Sequence, residues 1–347
     1  MYIKKILVIV VLMGAVAMGA FAWYVYSVAF SGNTAFNNKE AHVYIPSNAT
    51  IEDVIDELEP LLRDTGSFYA VAKQKQYIGN IKPGHFIITR GMTNNDIINT
   101  LRSRNIPINV KFNNQERLED LAGHISQRIE ADSLSLITAM RDSKFLQENN
   151  LDENTALSLY IPNTYEFYWN SSAETFRDKM KLEYERFWNE TRTEKAKKLN
   201  LTKQQVISLA AIVQKETAKV DERPRVAGVY INRLKKGMLL QADPTVIYAM
   251  KKESGDYSQV VKRVLYKDLE LDSPYNTYKY SGIPPGPITM PDISSIDAIL
   301  TPENHDYYFF VADVSNFGYH KFAKTLAQHN INKVEYVRWL NNQGLNR

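Results

Sequence analysis

The stretch Thr202-Lys203-Gln204-Gln205-Val206-Ile207-Ser208-Leu209-Ala210-Ala211-Ile212-Val213-Gln214-Lys215-Glu216 decides how this chain of 347 residues is read. Thr202 and Gln205 have the spacing of a capping box, in which each side chain satisfies the other's backbone N–H, so a helix starts there. Val206, Leu209, Ala210 and Val213 recur at helical spacing and form a stripe that faces a core. At about 100° per residue, Glu216 falls roughly 70° from the middle of that stripe, while Lys215 and Lys219 point away from it. A carboxyl at the edge of an apolar face loses part of its hydration, which raises its pKa. The last turn is also the negative end of the helix dipole, which disfavours an anion. Both effects favour a protonated acid near neutral pH, the form a general acid needs. The plainer reading is an ion pair with Arg223, Arg225 or Arg233.

The sequence around this helix is distinctive. Ala211-Ile212-Val213-Gln214-Lys215-Glu216-Thr217-Ala218 is followed by Val226-Ala227-Gly228-Val229-Tyr230-Ile231-Asn232-Arg233-Leu234, Gly237-Met238 and Leu240-Gln241-Ala242-Asp243-Pro244-Thr245-Val246-Ile247-Tyr248. Further on come Tyr275-Asn276-Thr277-Tyr278, Gly282-Ile283-Pro284-Pro285-Gly286-Pro287-Ile288, Tyr308 to Phe310 and His320 to His329. In this order the motifs resemble those of the endolytic murein transglycosylases, the MltG or YceG-like family. The resemblance covers essentially the whole chain. It implies cleavage of the MurNAc-GlcNAc β-1,4 bond of glycan strands to 1,6-anhydro-MurNAc ends, without a cofactor. Glu216 would be the single catalytic acid and base. Gln214 stands where the family often has a first glutamate, Ser158 where it often has another, and Asn163 where it has an aspartate.

Asp243 is the second carboxylate of the region, read as a sugar contact or support for Glu216, or as a turn or cap before Pro244-Thr245. Tyr275, Asn276 and Tyr278, followed by the Pro-rich run, read as a rigid substrate-binding loop, because aromatic faces stack on sugars and Asn pairs with hydroxyls and amides. The alternative is a loop packed by its own tyrosines. Two other functions stay open: a muramidase using water with Asp243 or Glu222, and a glycan-binding partner of wall synthesis without catalysis.

Residues Ile6 to Phe30 carry no charge and exceed the roughly 20 apolar residues that span a bilayer. Lys4 and Lys5 precede them, which orients a single-pass anchor with the body on the outer, periplasmic face of the cytoplasmic membrane. The rival is a signal peptide cleaved at Ala20-Phe21-Ala22. Residues 31–40 read as a linker.

Beyond it a pattern recurs three times. Val43-Tyr44-Ile45, Phe86-Ile87-Ile88 and Val110-Lys111-Phe112 each lead, eight residues on, to Asp53, Asp96 and Asp120. Thr50 and Thr93 are placed to cap a helix in the first two copies; Arg117 takes that place in the third. Each unit reads as strand, turn, amphipathic helix, and the set resembles a LysM-type carbohydrate-binding module.

The expected fold is therefore α+β: an anchor (1–30), a linker (31–40), a LysM-like α/β module (41–150) and a mixed α+β catalytic domain (151–347). One helix is expected from about Ser172 to Leu199, a hairpin from Tyr307 to Asp313 and Tyr319 to Ala323, and a last helix from about Lys333 to Asn342. A net charge of +3 without a clustered basic face argues against nucleic acid. The absence of cysteine excludes disulfides and thiolate chemistry. Six histidines without metal-ligand spacing predict no metal. The expected partners are glycan strands, the membrane and a peptidoglycan synthase.

Overall fold

The computed structural model describes residues 2–261 and 263–342. The protein is mixed α+β and divides into two compact units, one of residues 1–110, 127–131 and 165–172, the other of 111–126, 132–164 and 173–347.

The first unit opens with α1 (Tyr2–Phe30), a 29-residue helix with no buried residue and long and apolar enough to cross a membrane. Next come β1 (Glu40–Ile45), α2 (Ile51–Leu58), α3 (Thr65–Gln74), β2 (Gly84–Thr89) and α4 (Asn94–Leu101). β1 and β2 pair antiparallel, with Val43 opposite Phe86 and Ile45 opposite Gly84. Their inward residues Val43, Ile45, Phe86 and Ile88 pack with Val54, Leu58, Phe68, Ile97 and Leu101, all fully buried.

Thr50 and Thr93 cap their helices as the repeat predicts, and Asp53 and Asp96 reciprocate to close capping boxes. Arg117 makes no cap bond in the third copy and pairs with Asp120 at 2.5 Å instead. Thr93→Ala, like Thr50→Ala, is expected to cost about 1 kcal/mol, as lost N-caps do. Urea unfolding checks this, with Arg117→Ala as the control that loses no cap. The repeat did not include α3, which Asp64 caps by accepting from the N–H groups of Gly66 and Ser67.

The chain passes between the units within β3 (Ile108–Phe112) and β4 (Asn163–Phe167). The third repeat's helix α5 (Leu118–Ile125), with α6 (Ser133–Met140) and α7 (Ser143–Glu148), belongs to the second unit. So the compact units do not follow the expected boundary at residue 150.

The helix expected from Ser172 to Leu199 is two, α8 (Ala173–Phe187) and α9 (Glu190–Lys198). Asn189 starts the second by accepting from the N–H of Arg192. The core lies around α10 (Lys203–Glu216), whose residues 206 to 213 are all buried. It packs against α11 (Arg223–Lys235), α12 (Asp243–Ser254) and α13 (Ile293–Leu300). β5 (Phe309–Ala312) and β6 (His320–Ala323) pair antiparallel, as expected for a hairpin. The last helix, α14 (Leu326–Asn342), begins seven residues earlier than expected. Thr325 Oγ1 accepts from the N–H of Gln328 and so serves that earlier start.

Candidate functional site

Glu216 ends α10, which starts at the capping box of Thr202 and Gln205. Its carboxyl is half-buried in a cleft of about 370 Å³ built from α11, the first turn of α12, the hairpin and α14. Burial raises its pKa from the ordinary 4.5 to about 7; the Tyr230 hydroxyl opposes the rise, Asp243 adds to it, and His320 and Arg233 oppose it. Tyr230, two turns into α11, donates its hydroxyl to Glu216 Oε1 at 2.8 Å. Burial and the facing carboxyl hold that phenol well above its ordinary pKa, so it stays a donor.

The ion-pair reading of Glu216 finds no support. Arg223 pairs with Asp292 and Arg225 with Glu303. Arg233 is buried but spends its guanidinium on carbonyls, donating to Tyr308 O at 2.7 Å and Leu240 O at 2.6 Å. Among the described residues no Lys, Arg or His lies within 4.0 Å of the Glu216 carboxylate. Arg233 thus lines the cleft as a positive charge held by dipoles, without neutralising the acid.

Asp243 and Tyr278 share this cleft. Asp243 is the first residue of α12 and makes no cap bond; its Oδ1 accepts the Tyr278 hydroxyl at 2.5 Å. Burial and that carboxylate keep the Tyr278 hydroxyl protonated well above its usual range. Tyr275 and Asn276 are not in the cleft. Tyr275 is buried against Tyr248 and donates to Asn154 Oδ1 at 3.3 Å. Asn276, fully buried, donates to the carbonyls of Leu269 and Leu271 at 2.8 Å each. Both side chains make contacts within the loop or beside it. Thr277 docks it: Thr277 Oγ1 accepts from the N–H of Ala242 at 3.0 Å and meets Thr245 Oγ1 at 2.8 Å. The next residue, Tyr278, is thereby brought to Asp243.

Glu222, the other carboxylate considered for a water-using mechanism, is buried and committed elsewhere. It accepts from His320 N at 2.7 Å and pairs with His320 Nδ1 at 2.9 Å. His320 itself lines the cleft, with one ring nitrogen anchored by that carboxylate. Gln214 links α10 to the start of α13, accepting from Ser295 Oγ at 2.7 Å and donating to Asp292 Oδ2 at 3.1 Å. Ser158 donates to Thr155 O at 2.5 Å, and Asn163 Oδ1 accepts from the N–H of Thr164. Neither residue lines the cleft.

Gln241, on the cleft wall, holds a left-handed φ of 48°, uncommon for a residue with a side chain. Tyr230, Gln241, His320, His329 and Lys333 are polar cleft residues not singled out from sequence as site residues, whereas Arg233 was weighed as an ion-pair partner of Glu216. The first four lie inside motifs quoted above, but nothing in their spacing marks them as neighbours of Glu216. Among the described residues no cluster of three or more His, Cys, Asp or Glu could hold a metal ion.

The pattern defining the YceG-like family matches residues 43–335, which takes in every one of these side chains. The chain belongs to the YceG-like family. A relative named endolytic murein transglycosylase from Bacillus subtilis (strain 168) is 30% identical over 314 residues, covering 85% of this chain and 84% of that protein. Another of that name, from Streptococcus pneumoniae (strain D39), is 26% identical and covers 87% of this chain but 59% of the relative. A yceG-like protein of Listeria monocytogenes, solved by crystallography, superposes with a TM-score of 0.57 at 28% identity, covering 85% of this chain and 99% of that one.

One expected result follows for this family member. Tyr230→Phe keeps the ring packed edge-on to Phe310 but removes the hydrogen bond that favours the Glu216 carboxylate. The pKa of Glu216 rises further, so the alkaline limb of a pH–rate profile moves to higher pH. A limb that stays put or moves down contradicts the assignment.

Proposed function

We propose that this protein is a membrane-anchored endolytic lytic transglycosylase of peptidoglycan, with Glu216 as its only proton-transferring carboxyl. The observation that carries the reading is a half-buried glutamic acid with a pKa near 7 and no salt-bridge partner among the described residues, set beside a tyrosine donor. The relatives named endolytic murein transglycosylase support the substrate and the reaction.

Below pH 7 the protonated Glu216 gives its proton to the oxygen bridging MurNAc and GlcNAc, and the bond to the anomeric carbon breaks. The carboxylate so formed accepts the proton of the MurNAc C6 hydroxyl as that oxygen bonds to the anomeric carbon. The product is a 1,6-anhydro ring, and Glu216 is again an acid. The nucleophile is tethered to the reacting sugar, so no water has to be positioned. A hydrolase would instead need a second carboxylate flanking the bond. Of the two considered, Glu222 is tied to His320 and Asp243 accepts from Tyr278. Asp243 and Tyr278 are assigned to binding sugar hydroxyls, Tyr275 and Asn276 to holding the loop that presents Tyr278.

The helix α1, with Lys4 and Lys5 in its first turn before the uncharged run, supports a single-pass anchor with the body on the periplasmic face, within reach of nascent strands and a synthase. The antiparallel β1 and β2 with α2 and α3 between them are compatible with a LysM-like module that holds glycan. Digestion of purified wall by the detergent-solubilised protein tests the reaction. Anhydro-MurNAc ends in the muropeptide mass spectrum are expected; reducing MurNAc ends would make it a muramidase, and no digestion a binder.

A further inference from the structure

The cleft around Glu216 does not end at Asp243, Tyr278 and Lys333. The same three residues form the near wall of a second hollow of about 440 Å³, lined further by Arg263, Val264, Leu265, Tyr266 and Leu269. We propose that this hollow receives the peptide stem of the glycan strand, with Arg263 and Lys333 taking the stem's carboxylates. The proposal rests on the glycan-cutting reading of the cleft and adds a specificity determinant to it.

The chemistry of the substrate asks for such a place. MurNAc bears a lactyl group on O3, and a short peptide continues from it, so a sugar seated beside the acid sends a branch sideways. The branch combines small aliphatic side chains with free carboxylates. The hollow matches both. Leu265 and Tyr266 are large apolar residues at 49% and 74% exposure, more than ordinary packing leaves open side by side. Arg263 and Lys333 are exposed cations, and neither forms a salt bridge among the described residues. The single carboxylate of the lining, Asp243, already accepts from Tyr278.

A third hollow, of about 330 Å³, shows the contrast. Its two lysines, Lys215 and Lys251, are both bonded to Glu116, at 2.7 and 2.9 Å. Its positive charge is spent within the protein; that of Arg263 and Lys333 is available to a ligand. An Arg also offers a planar fork suited to a carboxylate.

The test uses the full chain in detergent on two soluble strands without lipid: one carrying its peptide stems, one stripped of them by an amidase. Arg263→Glu reverses an exposed charge that lines the second hollow and not the cleft around Glu216. An exposed ion pair is weak, so this single reversal is expected to raise KM for the stem-bearing strand roughly three-fold. That loss should shrink as salt screens the wild-type advantage. The stripped strand should be cut by both proteins alike. Equal loss on both strands, or no change on either, overturns the proposal. Wild-type protein that releases no anhydro ends from either strand would sink the underlying functional reading instead. Arg263→Gln, which removes charge without adding repulsion, should give the same pattern at smaller size.

Discussion

Glu216→Gln is expected to abolish cutting, with turnover on glycan strands falling roughly 10³-fold, the scale of a lost general acid and base. The amide keeps the shape of the side chain and an oxygen for the Tyr230 hydroxyl, which donates at 2.8 Å in the native protein. It can neither give nor reclaim a proton. Stability should move the other way. In the folded protein the carboxyl titrates near 7, above its ordinary 4.5, so the native state holds its proton more tightly than the unfolded chain. Between those two values stability therefore falls as pH rises, and the cost is complete above pH 7. Gln carries no such cost. The variant should melt with the native protein at pH 4 and above it at pH 8, while its muropeptide spectrum lacks anhydro ends. Unchanged products would remove Glu216 from the mechanism; a variant less stable at pH 8 would remove the buried, uncompensated acid.

The second large effect falls on folding. A Cβ placed on Gly286 would lie 1.9 Å from Asn154 O and 2.6 Å from its carbonyl carbon. Those are backbone atoms, so no rotamer can relieve the overlap. Gly286→Ala is expected to cost about 3 kcal/mol, the upper range for overpacking. That is a large share of a typical folding free energy of about 5–15 kcal/mol. Gly282 is the control from the same run. It has open space around it but a φ of 88°, so Ala there meets only backbone strain, about 1 kcal/mol. Thermal melting should rank Gly286→Ala well below Gly282→Ala. The reverse order would mean that the loop does not seat on Asn154.

Interactions within one turn of chain could be read from the residues. The capping boxes at Thr50, Thr93 and Thr202, the weaker start at Arg117, and the hairpin ending in Ala323 all depend on neighbours three or four positions away or on strict alternation. Trp188-Asn189 escaped notice because a charged helix and two charged helices have the same composition; only the Asn189 cap separates them. The start of α14 at Leu326 was missed although Thr325 and Gln328 have the spacing of Thr202 and Gln205; the Gln328 side chain donates to Asn332, and the extra length of helix carries His329, which stacks on Phe309.

For the site, the local argument reached Glu216 and stopped at its own helix. That a half-dry acid ends α10 follows from the stripe Val206, Leu209, Ala210 and Val213, since helical geometry fixes the angle between them. Whether an arginine then neutralises that acid is a question about which chain segments cross, and three nearby arginines all turned elsewhere. Among Tyr275, Asn276 and Tyr278, composition made equal candidates. The bond between Thr277 and Thr245 made one a cleft residue and left two as struts. Sequence alone determined the capped starts of α2, α4 and α10, the apolar N-terminal helix, the hairpin and the place of Glu216 at the end of α10, because those depend on contacts along the chain. Tertiary structure alone decided what surrounds that side chain, because the groups that set its proton affinity lie 14 to 104 residues away and meet it only once the core has closed.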